Sequence, residues 1–133
     1  MEIETVMMVD DEPDIRRVGQ MSLELLGKRR VCLAASGREA LVLAAAEQPD
    51  VILLDVMMPE LDGPATLMLL RAQASTASIP VIFMTAKVQK REVERYLELG
   101  AAGVIYKPFD PLTLAGEVDR IAGARAGDRP QPG

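Results

Sequence analysis

Apolar residues in this chain are arranged in two ways: short unbroken runs, and longer stretches where they recur every three or four positions. The runs are Val6-Met7-Met8-Val9, Val31-Cys32-Leu33-Ala34, Val51-Ile52-Leu53-Leu54, Val81-Ile82-Phe83-Met84 and Val104-Ile105-Tyr106. Their shortness and near-continuous apolarity predict strands covered on both faces. The intervening stretches predict helices. The first runs from Pro13 to about Leu26, with Ile15, Val18, Ser22, Leu25 and Leu26 as its stripe and Gly27 as its stop. Ser36-Gly37-Arg38-Glu39 has the spacing of a capping box and opens an Ala/Leu-rich helix that ends before Pro49. Asp62-Gly63-Pro64 turns into a third helix through Leu67 and Leu70, and Val93, Tyr96, Leu97 and Gly100 mark a fourth. A fifth runs from about Pro111 to Ile121, with Leu114, Val118 and Ile121 inward.

Strict alternation of strand and helix implies an α/β fold, a parallel sheet of about five strands with helices on both faces. Right-handed crossovers leave few topologies, and the strand order 2-1-3-4-5 fits. Its switch point lies between the first and third strands, where an open sheet presents its ligand crevice. The residues ending the runs belong to that edge: Asp10 and Asp11 after the first, Asp55 after the third, Thr85 after the fourth and Lys107 after the fifth. Each can hold a cation or a phosphate.

Composition narrows the chemistry. A chain of 133 residues, 49% hydrophobic, has room for one domain with a sizeable core, here 1–123, and periodicity breaks down over 124–133, a flexible tail or linker stub. Fifteen Lys and Arg against 20 Asp and Glu leave a charge of −5, which argues against a direct nucleic-acid surface and for a protein partner. No histidine is present, so histidine-dependent catalysis is excluded, and the lone Cys32 fits a reducing compartment. Met1-Glu2-Ile3-Glu4 lacks the positive region of a secretory signal, and no apolar stretch is long enough for membrane insertion; a cytoplasmic protein is expected.

Three carboxylates in one crevice need compensation, since like charges about 4 Å apart cost on the order of 4 kcal/mol per pair at an effective dielectric near 20. Oxygen ligands without histidine point to Mg²⁺, with Mn²⁺ as the alternative. The plainer alternatives are that Asp10 or Asp11 only caps the first helix, that Thr85 caps a helix beginning near Lys87, and that Lys107 is a solvated strand end.

Asp55 is followed by Val56-Met57-Met58-Pro59-Glu60-Leu61-Asp62-Gly63, and with Asp10-Asp11-Glu12, Thr85-Ala86 and Lys107-Pro108-Phe109 this resembles the receiver domain of two-component response regulators, from about Thr5 to Ile121. The resemblance implies a flavodoxin-like doubly wound fold and a single-domain phosphoacceptor module. Asp55 would take a phosphoryl group from a phosphohistidine. Asp11, Asp55 and the Met57 backbone carbonyl would bind Mg²⁺ directly and Asp10 through water, while Thr85 and Lys107 would contact the phosphoryl group. A cis Lys107-Pro108 bond, frequent in the family, would aim the lysine over the pocket. Implied partners are a histidine kinase or histidine phosphotransfer protein and a downstream protein target. No dedicated enzyme activity is expected beyond self-catalysed phosphorylation and slow autodephosphorylation.

Two departures stand out. Where many relatives carry a switch aromatic, three positions before the lysine, this chain has Val104, and strand alternation offers Tyr106 as a substitute. Two positions after the acceptor stands Met57, which cannot act as general acid or base, so the acyl phosphate should be long-lived. Lys87 either folds over the pocket entrance or is solvated. An aspartyl-phosphate phosphatase of the haloacid dehalogenase kind would need a second Asp at position 57. A phosphorylation-independent interaction domain usually lacks one of the acids, the threonine or the lysine, all of which are present.

Overall fold

The computed structural model describes residues 3–86 and 89–123, so the expectations for Lys87 and for 124–133 fall outside it. Strands β1 (Thr5–Val9), β2 (Arg30–Ala34), β3 (Val51–Asp55), β4 (Val81–Thr85) and β5 (Gly103–Tyr106) pair in parallel, in the order β2-β1-β3-β4-β5. Every residue of β3 and β4 is buried, as unbroken apolar runs require of strands covered on two faces.

Each face has its own core. Helices α2 (Gly37–Glu47), α3 (Gly63–Ala72) and α4 (Lys90–Glu98) contribute Ala40, Ala44, Leu67, Leu70 and Tyr96 to one, against Met7, Ile52, Leu54 and Phe83 of the sheet. On the other, α1 (Pro13–Met21) and α5 (Leu114–Val118), with the turns that extend them, supply Leu23, Leu114, Val118 and Ala122 against Met8, Leu53, Ile82 and Met84. Strand alternation sends neighbouring residues to opposite cores.

Local signals account for most helix ends. Pro13 occupies the first turn of α1. Ser36 caps α2 by accepting the Glu39 N–H at 3.1 Å, but the Glu39 carboxylate reaches the Ala35 N–H at 3.4 Å instead of the Ser36 N–H that a capping box would close. Asp62 caps α3 through the Ala65 N–H at 2.9 Å. Neither Asp10 nor Asp11 caps α1, whose N-cap is Glu12, and Thr85 does not cap α4, whose N-cap is Gln89.

The first helix corrects the expected stripe. Val18, Leu25 and Leu26 are exposed, and Gly19, Ser22 and Leu23 are the residues buried. Residues Ser22–Leu26 form a π-type turn, closed by the Gly27 N–H donating to the Ser22 carbonyl at 3.1 Å. Ile15, Gly19, Ser22 and Leu23 keep regular helical spacing, and the wider turn that follows leaves Leu26, next in that repeat, exposed. A similar turn, Asp119–Gly123, extends α5.

Candidate metal and phosphoryl site

The carboxyl ends of β1, β3, β4 and β5 deliver Asp10 and Asp11, Asp55, Thr85 and Lys107 to one edge. Carboxylate oxygens of Asp10, Asp11 and Asp55 lie within 4.8 Å of one another, a cluster able to hold a metal ion. Asp10 and Asp55 are buried, whereas Asp11 is open to solvent. The Lys107 ammonium reaches in from β5 to Asp10 Oδ2 at 2.8 Å and Asp55 Oδ1 at 3.4 Å. The Lys107–Pro108 peptide is cis.

Backbone contacts hold the carboxylates in place. Asp10 Oδ1 accepts the Glu12 N–H at 2.9 Å, and the Asp10 carbonyl accepts from Arg16 Nη1 at 2.7 Å. Asp55 Oδ1 accepts the Met57 N–H at 3.3 Å, while the Met57 side chain is 69% exposed. Gly63 makes this turn possible: its N–H donates to the Val56 carbonyl at 2.9 Å, and a Cβ there would lie 2.5 Å from the Asp55 carbonyl oxygen. Arg16 was not singled out from sequence, because a basic residue in a first helical turn reads as solvated surface.

One cation does not balance the crevice. Burial and the neighbouring Asp10 charge push the Asp55 carboxyl up to about 6, against the opposing pull of Lys107 and the Met57 N–H. Burial also disfavours the Lys107 charge, but the Asp10 hydrogen bond and the Asp10 and Asp55 charges outweigh it and hold the ammonium above its ordinary value. Asp55 thus sits in a pocket still short of positive charge. A divalent cation bound by oxygen ligands would supply it.

A family model for the response regulator receiver domain matches residues 6–119. The chain belongs to that family. The receiver is 37% identical over 121 residues to a probable transcriptional regulator, ycf27, of Porphyridium aerugineum, covering 91% of this chain and 49% of that protein. It is 40% identical over 116 residues to the alkaline phosphatase synthesis transcriptional regulatory protein PhoP of Bacillus subtilis, covering 87% and 47%. The chain therefore spans about half the length of the curated relatives it matches. Among solved structures, the receiver superposes on the Vibrio cholerae chemotaxis protein CheY4 with a TM-score of 0.83 at 32% identity, covering 90% of this chain and 99% of that one. The signal receiver domain of a Syntrophus aciditrophicus signal transduction histidine kinase gives 0.78 at 34%, covering 96% and 95%. Among the described residues, no helix is long and apolar enough to cross a membrane.

The surroundings of Thr85 in this receiver have their own arrangement. Tyr106 is 46% exposed in this structure, and Val104 packs against the α2–α4 core. Beside the buried Phe83, a second buried aromatic comes from α4. The Tyr96 hydroxyl is hydrogen-bonded to that of Thr85, and the Tyr96 ring meets Phe83 edge-on at 5.1 Å. Periodicity had marked Tyr96 as core-facing; its polar contact carries no sequence signature.

Proposed function

We propose that this receiver takes a phosphoryl group onto Asp55 from a phosphohistidine of a kinase or histidine phosphotransfer protein, and that acyl phosphate formation switches a protein-binding surface. The observation that carries this reading is the convergence of Asp10, Asp11 and Asp55 within 4.8 Å beside the Lys107 ammonium. An Asp55 oxygen forms the new O–P bond as the donor's N–P bond breaks, and the departing imidazole keeps the electron pair. Asp11, Asp55 and the Met57 carbonyl would hold Mg²⁺, or Mn²⁺ in its place, with Asp10 acting through water. Bound there, the ion neutralises phosphoryl oxygens and orients the donor. Lys107 supplies a flexible point charge for the phosphoryl group, and Thr85 a hydroxyl donor.

Met57 offers no acid or base beside the acyl phosphate, so self-hydrolysis is slow. The downstream partner is a protein, consistent with the net charge of −5, and the setting is the cytoplasm. Incubation with acetyl phosphate and Mg²⁺ should raise the intact mass by one phosphoryl group. In Asp55→Asn, or with the metal chelated, the gain should vanish. Modification that persists in the variant defeats the assignment.

A further inference from the structure

Helix α4 packs beside β5 and has one buried side chain, Tyr96, 6% exposed. Its ring fills the space beside Phe83, and in the sheet Phe83 is registered against Val104. Its hydroxyl ends on Thr85, itself 2% exposed and tied to the next strand by the Lys107 N–H donating to the Thr85 carbonyl at 2.9 Å. The single deep anchor of α4 is therefore bonded to the hydroxyl that stands between the strands of Asp55 and Lys107.

A threonine hydroxyl has one proton to donate. Phosphoryl oxygens are acceptors only, and a hydrogen bond to a charged acceptor is roughly twice as strong as one between neutral hydroxyls. A phosphoryl group on Asp55 therefore claims the Thr85 proton. The bond to Tyr96 then either breaks or survives with Tyr96 as donor. We propose that Tyr96 is a positioning residue that holds the Thr85 hydroxyl in the unphosphorylated state, and that its altered bond carries phosphorylation to α4. The inference rests on the phosphoacceptor reading of Asp55. It differs from the sequence expectation in placing the reporting aromatic on α4 instead of β5.

The composition makes a direct test possible, because Tyr96 and Tyr106 are the two tyrosines of the chain. Tyr106→Phe, at an exposed position, leaves Tyr96 as the sole site for 3-fluorotyrosine incorporation. The ¹⁹F resonance and the intact mass are recorded together before and after acetyl phosphate with Mg²⁺. The expected result is a gain of one phosphoryl group with a displaced Tyr96 resonance. Thr85→Ser should keep the displacement, and in Thr85→Val the phosphorylated fraction should show none. A mass gain without displacement, or a displacement that persists in Thr85→Val, overturns the role of Tyr96 and leaves the acceptor assignment intact. No mass gain in any protein overturns the acceptor assignment and the Tyr96 inference with it.

Discussion

Replacing Asp55 by asparagine in the metal-free protein should stabilise the fold, although it removes the group on which the function depends. Burial and the Asp10 charge raise the Asp55 carboxyl from 3.8 to about 6, so at neutral pH the folded state holds a carboxylate that it would rather protonate. A rise of about two pH units has a ceiling near 3 kcal/mol, and water entering beside the exposed Met57 reduces it to about 1–2 kcal/mol. The sign follows from linkage. Below about 4, Asp55 is protonated in both states and costs nothing; between about 4 and 6 the unfolded chain ionises first and stability falls; above 6 the loss is complete. Asparagine keeps the shape without the charge, and Lys107 retains its 2.8 Å contact with Asp10. Thermal unfolding in chelator at pH 7.5 should therefore show Asp55→Asn melting about 3–8 °C above the parent, with the difference closing near pH 4. Added Mg²⁺ should reverse the order: at a hundred times its dissociation constant it contributes about 2.7 kcal/mol to the parent and far less to the variant. Equal melting temperatures across this pH range, or a gain that does not change with pH, would refute the claim that Asp55 is ionised under strain.

Two further outcomes follow from the same crevice. Met57→Asn or Met57→Glu, at a side chain 69% exposed and so tolerant of exchange, should shorten the phosphorylated lifetime by on the order of ten- to a hundredfold by positioning water; decay of intact phosphoprotein mass reads this directly, and an unchanged rate would clear Met57 of any part in it. Gly63→Ala would drive a Cβ to 2.5 Å from the Asp55 carbonyl oxygen and 2.8 Å from Val56 Cα, forcing α3 away from β3. A loss of about 1–3 kcal/mol in urea unfolding is expected, and a variant as stable as the parent would show that the turn yields freely.

Much of the architecture was readable before any coordinates because its signals are local. An apolar run of four residues ending in Asp55 or Thr85 declares both a doubly covered strand and the edge to which its last side chain belongs. The chain order of strands and helices, with the handedness of crossovers, leaves room for little besides the order found. Where local signals misled, a non-local contact or an irregular turn had intervened. The π-type turn at Ser22–Leu26 ended the helical repeat that runs through Gly19 and Leu23 and left Leu26 exposed. The Glu39 carboxylate chose the Ala35 N–H over the one a capping box would use.

Sequence alone determined which residues could stand at the binding edge, since side-chain chemistry and strand termination are properties of neighbours in the chain. Only the tertiary structure decided what those residues feel. The ion pair between Lys107 and Asp10 joins positions 97 apart, the proton affinity of Asp55 depends on how deeply its carboxylate is buried beside a second one, and the Thr85 hydroxyl is held by a tyrosine on α4. Burial and through-space distance set these energies, and neither is encoded in any short stretch of residues.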